Sequence, residues 1–336
     1  MRIQEIGEFG LIDRIARSLP PPGEGVIVGI GDDVAVLRSG ERYLLATCDI
    51  QVEGVHFLRE KIRPYQLGRK VVAINVSDIA AMGGVPRYLL VSLVLPKETE
   101  VEFVDGLYEG MREECSRWGA QIVGGNMAHS PGGVIVDLFL MGEVEPDHLL
   151  RRSGARVGDR VLVTGTLGDS AAGLVLLLNP GATCPDIHRE FVLRRHLTPT
   201  PRLWEGRAIA RSGLATAAID VSDGLASDIG HICEMSNVGV RLWADAVPIS
   251  DAARAVAGAV GADLLEWALF GGEDYELLFT APADRAEDLA RWVQEETGTP
   301  VSLIGEIVPA DQGMGLVRAD GSTHPLRKEG WDHFRG

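Results

Sequence analysis

Short apolar runs alternate along the chain with glycine-flanked polar turns, and the spacing of the apolar positions sets the predicted elements. Phe9, Ile12 and Ile15 lie near helical spacing, predicting a helix over 5–18 that Pro20-Pro21-Pro22-Gly23 stops. Val26-Ile27-Val28 predicts a short strand feeding Gly29-Ile30-Gly31-Asp32-Asp33 and the apolar run Val34-Ala35-Val36-Leu37. Residues 43–48 read as a buried strand ending on Asp49, before the polar loop Glu53-Gly54-Val55-His56-Phe57. A mostly apolar helix is expected over 66–82, interrupted by Asn75 and Asp78, which lie three apart and so share a face. A strand over 89–95 follows, then a helix opened by Thr99-Glu100-Val101-Glu102, which has the form of a capping box. Strands at 121–123, ending in Gly124-Gly125-Asn126, and at 134–144 complete a first unit of strand–helix–strand steps.

Composition changes around Glu145-Pro146-Asp147-His148. A strand over 160–164 then runs into Gly165-Thr166-Leu167-Gly168-Asp169-Ser170 and a helix through Leu178. That turn suits an anion at a helix N-terminus or a plain capped connection. Helices near 186–197 and 202–212 precede a strand at 217–219 and the turn Asp220-Val221-Ser222-Asp223-Gly224, which opens a helix carrying Ser227, Asp228 and His231. The apolar stretch 264–270 ends in Gly271-Gly272-Glu273-Asp274-Tyr275. A strand at 276–280, a helix near 284–296, strands near 301–307 and 314–318 and the tail Gly330-Trp331-Asp332-His333-Phe334 finish the chain. The predicted fold is α/β (α+β) in two domains, residues 1–150 and 151–336, as a 336-residue length suggests.

Charge narrows the function. A net −16, from 48 acids against 32 bases, argues against nucleic acid and anionic membranes as partners. It leaves room for a small anionic substrate, because bound cations can invert the local field. The only lysines are Lys61, Lys70, Lys97 and Lys328, so phosphate handling would fall mainly on metals, arginines and backbone N–H groups. Cys48, Cys115, Cys184 and Cys233 form no CxxC pair, which points to a reduced, cytoplasmic setting. The N-terminus carries acids where a signal peptide has its apolar core, and no apolar run approaches the ~20 residues of a membrane helix.

Acids recur at glycine-flanked turns or strand ends: Asp32, Asp33, Asp49, Asp220, Asp223, Glu273 and Asp274, with Asp78 on a helix. Two adjacent carboxylates repel unless water or a cation separates them. Gly29–Asp33 is therefore a metal turn or an exposed acidic turn, and Asp78 a buried ligand or a helix-surface charge. Hard oxygen ligands without nearby Cys or His pairs suit magnesium over zinc. Several such turns would hold several Mg2+ ions, which points to nucleoside triphosphate chemistry. There is no P-loop, Gly29–Val34 departs from the dinucleotide fingerprint, and the protein-kinase motifs are missing. No nucleophile stands out, and Cys48 reads as a strand-core thiol. His56 suits a ligand or a solvated loop residue, and Trp331 a packing plug or a ligand platform.

Taken together, Gly29-Ile30-Gly31-Asp32-Asp33, Asp49 with Glu53–Phe57, Asn75-Val76-Ser77-Asp78, Arg152-Ser153-Gly154-Ala155, Gly165–Ser170, Asp220–Leu225, Phe270–Tyr275 and Gly330-Trp331 resemble the thiamine-monophosphate kinase family, in its order and nearly end to end. The wider superfamily includes aminoimidazole ribonucleotide synthetase, selenophosphate synthetase and the hydrogenase-maturation dehydratase. The resemblance implies two α/β domains, the first pairing across a homodimer, and ATP-dependent phosphorylation of thiamine monophosphate to thiamine diphosphate. It implies Asp33, Thr47, Asp49, Asp78, Asn126, Asp220 and Asp223 as magnesium ligands. Tyr108, Gly125, Asn126, Arg152 and Ser222 would contact ATP, and His56, Glu273 and Trp331 the thiamine phosphate. Many relatives carry Asp where this chain has Asn126, and often Thr where it has Cys48.

Two other readings stand beside this one. Another ATP-using superfamily member is the first. A selenophosphate synthetase would want a reactive Cys in a flexible N-terminal segment, and a hydrogenase-maturation protein a C-terminal Cys; this chain ends Asp332-His333-Phe334-Arg335-Gly336. The second is a non-catalytic magnesium–nucleotide binding module.

Overall fold

The computed structural model describes residues 2–334. The first unit runs α1 (Ile3–Ser18), β1 (Val26–Val28), β2 (Ala35–Ser39), β3 (Arg42–Val52), α2 (Pro64–Ala81), β4 (Val85–Leu95), α3 (Val101–Trp118), β5 (Gln121–His129) and β6 (Ile135–Val144). Its six strands lie in the order β1-β2-β3-β6-β4-β5. Only β4 and β5 are parallel, joined through α3. The other neighbouring pairs are antiparallel, but β3 and β4, each antiparallel to β6 between them, run the same way and are joined through α2, so two of the expected strand–helix–strand steps are present, through α2 and through α3.

This sheet is covered on one face. Leu45, Val136, Leu138, Leu140, Leu89 and Leu93 are buried beneath α2 and α3, whereas Ile50, Tyr88, Leu90, Val123 and Met127 stand exposed. Cys48 falls on the open face and is exposed, correcting the expectation of a strand-core thiol. Strand β3 continues past Asp49 to Val52, and β5 runs through Gly124-Gly125-Asn126 to His129, so neither marks a strand exit. The box at Thr99 does not form, because α3 begins one residue late, with Glu100 at its N-cap and no side-chain cap bond.

The second unit runs β7 (Arg160–Thr164), α4 (Asp169–Leu178), α5 (Asp186–Leu197), α6 (Leu203–Ser212), β8 (Ala217–Asp220), α7 (Leu225–Ser236), β9 (Val238–Trp243), α8 (Asp251–Val260), α9 (Leu264–Phe270), β10 (Leu277–Ala281), α10 (Ala286–Thr297), β11 (Val301–Pro309), β12 (Met314–Val317) and β13 (Thr323–Pro325). The strand order is β13-β12-β9-β11-β7-β10-β8. Both faces of its centre are covered. Leu162, Ala218, Leu277 and Phe279 join the core that includes α2 and α10, while Val161, Val163, Ile219 and Leu278 join a second core with α7.

Helix α2 is the beam between the units. It packs on α3, β3 and β6 on one side and on α6 and β8 on the other. Thirteen of its 18 residues are buried, as befits a helix apolar nearly all round. Glycines make the close crossing possible: a Cβ on Gly68 would sit 2.0 Å from the Leu107 carbonyl oxygen, and one on Gly110 2.0 Å from that of Tyr65. At the other end of the chain order, α1 kinks at Gly7 (φ 70°), and the Glu8 N–H donates to Asp332 Oδ1 at 3.2 Å. The first helix and the tail are thereby joined.

Candidate functional site

A cleft of about 930 Å³ opens between the two units, and α2 forms its floor. From the first unit come Asp33 after β1, Thr47 and Asp49 on β3, His56 beyond it and Asp78 on α2. The second unit brings Arg152, Asp220 at the end of β8, Ser222, Asp223, Glu273 and Trp331. Tyr108, Gly125 and Asn126 are not among them. Tyr108 lines a separate groove with Arg112, Cys115 and Gln121, and Gly125 and Asn126 lie exposed on the edge strand β5.

Asp33, Asp78 and Asp220 converge, each offering a carboxylate oxygen within 4.8 Å of the others. Neighbouring hydroxyls hold two of them: Thr47 Oγ1 donates to Asp78 Oδ2 and Ser77 Oγ to Asp220 Oδ2, both at 2.6 Å. Arg152 holds the third, its Nε donating to Asp33 Oδ1 at 3.1 Å. Asp33 Oδ2 is buried with no hydrogen-bond partner among the described residues. Asp32 instead braces the backbone. Its Oδ1 accepts from the N–H of Asp33 at 3.1 Å and of Arg152 at 3.3 Å, which ties the turn to the second unit.

The cluster is electrostatically unsatisfied. Burial pushes Asp220 up to about 8, with the charge of Asp33 adding to it. Burial and then Glu8 push Asp223 to about 7. Burial, Asp137 and Asp33 bring Asp49 to about 6. Asp78 is raised well above the carboxylate range by burial and by Asp49, Asp220 and Asp33. These groups call for cations. Oxygens on opposite sides of a magnesium ion lie about 4.2 Å apart, within the 4.8 Å that bounds the spacing here, and the orphaned Asp33 oxygen is a ready ligand. The all-oxygen donor set therefore fits Mg2+.

A second trio, Asp223, Asp228 and His231, is also close enough to hold an ion, but its chemistry is that of a brace. Asp228 Oδ2 accepts the Gly224 N–H at 3.1 Å, and the Lys328 ammonium lies 3.2 Å from His231 Nδ1. The 165–170 turn is likewise closed to outside anions. Asp274 takes the N–H groups of Gly168 at 2.7 Å and Ser170 at 3.1 Å, so the chain's own carboxylate fills the N-terminus of α4.

In the same cleft His56, Glu273 and Trp331 meet residues that pattern reasoning passes over. Lys70 Nζ pairs with Glu273 Oε1 at 2.7 Å, and His196 Nδ1 lies 3.3 Å from Glu273 Oε2. Burial lifts the Glu273 carboxyl, but Lys70 and then His196 outweigh it and hold it below its usual range. His56 Nδ1 accepts the Val52 N–H at 3.0 Å, and burial lowers its pKa, so the ring is neutral. The His56 and His333 rings lie 4.9 Å apart, and the Trp331 N–H donates to Asp223 O at 3.1 Å. Lys70 has a sequence signal, its spacing of eight from Asp78; His196 and His333 have none.

Comparison with known proteins sets this geometry in a family. The family model for AIR synthase related protein, N-terminal domain, matches residues 31–144, and that for the C-terminal domain matches 156–317. The chain is 39% identical to a thiamine-monophosphate kinase of Aquifex aeolicus over 99% of this chain and 100% of the relative. It is 36% identical to one of Bacillus subtilis, over 92% and 94%. The solved structure of AaThiL complexed with AMPPCP and TMP superposes with a TM-score of 0.86 at 38% identity, covering 99% of both chains. Hydrogenase maturation protein HypE in complex with ATP, at 17% identity and a TM-score of 0.70 over 99% of this chain and 95% of that one, shares the fold.

Proposed function

The chain belongs to the thiamine-monophosphate kinase family of AIR synthase related proteins, and on that premise we propose that it transfers the γ-phosphoryl group of ATP to the phosphate of thiamine monophosphate, yielding thiamine diphosphate and ADP. The observation that carries the reading is a single cleft that gathers an oxygen-ligand cluster together with His56, Glu273 and Trp331. An assay of ADP release with thiamine monophosphate against thiamine and other phosphate esters tests it. No ADP with thiamine monophosphate would end the proposal.

Asp33, Thr47, Asp49, Asp78, Asp220 and Asp223 would hold several magnesium ions, with Asn126 as a further ligand. Such ions would screen donor and acceptor phosphates from one another. Arg152, Ser222, Tyr108 and Gly125 would bind ATP; His56, Glu273 and Trp331 would seat the acceptor. The acceptor phosphate is already ionised near neutral pH, so no strong general base is required. Transfer is direct and in line, with no covalent enzyme intermediate. An isotopically chiral γ-phosphoryl group should therefore be inverted, and net retention would contradict a single displacement.

The proposal divides the chain into residues 1–150, for metal, ATP and dimerisation, and 151–336, completing the nucleotide and substrate site. It also makes the enzyme a homodimer, with the open face of the first sheet as the contact. In support, Ile50, Tyr88, Val123 and Met127 expose apolar surface there, beside Gly125 and Asn126, which the cleft of the same chain does not reach. Val123→Asp with Met127→Asp should give a folded monomer in sedimentation that has lost activity. Full activity in a monomer would overturn the dimer proposal. A cytoplasmic setting is retained, supported by four free cysteines and checked by cell fractionation. No described helix is long and apolar enough to cross a membrane.

A further inference from the structure

We infer that Lys70 is a positioning residue for the acceptor: from within α2 it fixes the Glu273 carboxylate on which the acceptor's cationic ring is seated. The inference rests on the proposed kinase activity. Its first support is the cost of the arrangement. Lys70 is 1% exposed, and a buried ammonium is expensive unless paired. Its partner is Glu273 Oε1 at 2.7 Å, on a side chain that is 27% exposed and lines the cleft.

The second support is that, among the described residues, Lys70 is the strongest cation acting on Glu273. His196, also buried, lies 3.3 Å from Glu273 Oε2 and 3.0 Å from Ser170 Oγ. Burial and then Lys70 push its pKa down to about 4, so the ring is neutral near pH 7. Among the described residues, the remaining titratable groups facing Glu273 are His56, whose pKa burial lowers, and Tyr275, whose phenol burial keeps protonated. Lys70 is therefore the strongest of the groups that hold the Glu273 carboxyl below its usual range, with His196 next.

The third support is the backbone. Glu273 and Tyr275 adopt left-handed φ values of 64° and 52°, a conformation that costs energy in non-glycine residues. Between them Asp274 is anchored on the N–H groups of Gly168 and Ser170. Main chain and side chain together give Glu273 one orientation. Lys70, Ile74 and Asp78 form a single stripe of α2 along the cleft. Eight residues of helix span about 12 Å, so one rigid element sets the distance between the oxygen cluster and the Glu273 anchor. That suits an acceptor with a phosphate at one end and an organic cation at the other.

Steady-state kinetics of wild type, Lys70→Met, Glu273→Gln and the double variant, from pH 5.5 to 8.5, test this. Lys70→Met should raise KM for thiamine monophosphate at least tenfold at pH 7 and leave KM for ATP within twofold. The ratio of its KM to that of wild type should grow as pH falls, because an unpartnered buried carboxyl takes up a proton. Adding Lys70→Met to Glu273→Gln should change KM less than twofold. If Lys70→Met alone does not fold, the double variant, which removes both charges, supplies the comparison with Glu273→Gln. Additive effects, an equal rise in both KM values or a pH-independent ratio would overturn the inference. Wild type inactive on thiamine monophosphate would sink the kinase proposal and this with it; active wild type with an unchanged Lys70→Met enzyme would sink this alone.

Discussion

Asp32 and Asp33 are neighbours with opposite surroundings, and the difference is one of partners. Asp32 spends its oxygen on two backbone N–H groups, whereas Asp33 points a bare oxygen into the cluster. Asp33→Asn should therefore lower kcat/KM more than about 100-fold at fixed magnesium, since a ligand to a charge-screening ion is lost. Asp32→Asn loosens the turn and should cost only about 10–100-fold, as for groups that orient ligands. Magnesium titrations of both variants check this. Magnesium activation abolished in Asp32→Asn yet intact in Asp33→Asn would reverse the roles. At this scale the acids were legible because unpaired carboxylates beside glycines are costly without a cation. His196 was not legible, because a lone histidine on a helix has no pattern until folding places Glu273 beside it.

Among elements, α2 matters most, and its position depends on glycines rather than on large side chains. Gly68→Ala drives a methyl into the Leu107 carbonyl, a backbone atom that cannot rotate away. The overpacking should cost about 3 kcal/mol, lowering Tm by roughly 6–12 °C, with a fall in activity as Asp78 shifts. Gly132→Ala, whose new methyl meets nothing within 4 Å, is the control. Equal Tm values for the two would refute this role for Gly68. The apolar spacing revealed α2 within two residues at either end. It did not reveal that β3 and β5 outrun their apolar cores, because hydrogen bonding to β6 and β4 carries each strand through its polar residues. Nor did it assign β9 and α8, whose short apolar runs need the packed second unit to become elements.

For the whole molecule the acid cluster ties stability to pH and, with the proposed ions bound, would tie it to metal. Asp220 near 8 and Asp223 near 7 lie above their ordinary value of 3.8, so the folded chain holds protons that the unfolded chain has released. Their stabilisation is present at low pH and lost as pH rises through 7–8. Buried His196 and His231, lowered to about 4 and about 3, act in the opposite sense, but mainly below their unfolded value near 6.5. In chelator, Tm should therefore fall between pH 7 and 8.5, and less so in Asp220→Asn. Magnesium should flatten the fall, because a ligand bound only to the folded state stabilises it. A Tm in chelator that rises over this window would contradict the account. The fold class and the two-unit plan were readable from length and element order. The joining of α1 to the tail was not, because it hangs on one kink at Gly7.

With the roles proposed above, the Arg152–Asp33 pair would couple loading of the cleft by nucleotide and by metal. A guanidinium is a counterion on a tether, and a phosphate bound by Arg152 would weaken its hold on Asp33 Oδ1. A nucleotide that drew Arg152 toward its phosphate would leave Asp33 a better metal ligand, and the two binding events would then help one another by the same factor. In Arg152→Gln, ATP affinity measured with and without magnesium should lose most of that mutual dependence, and undiminished coupling would show that the tether is idle.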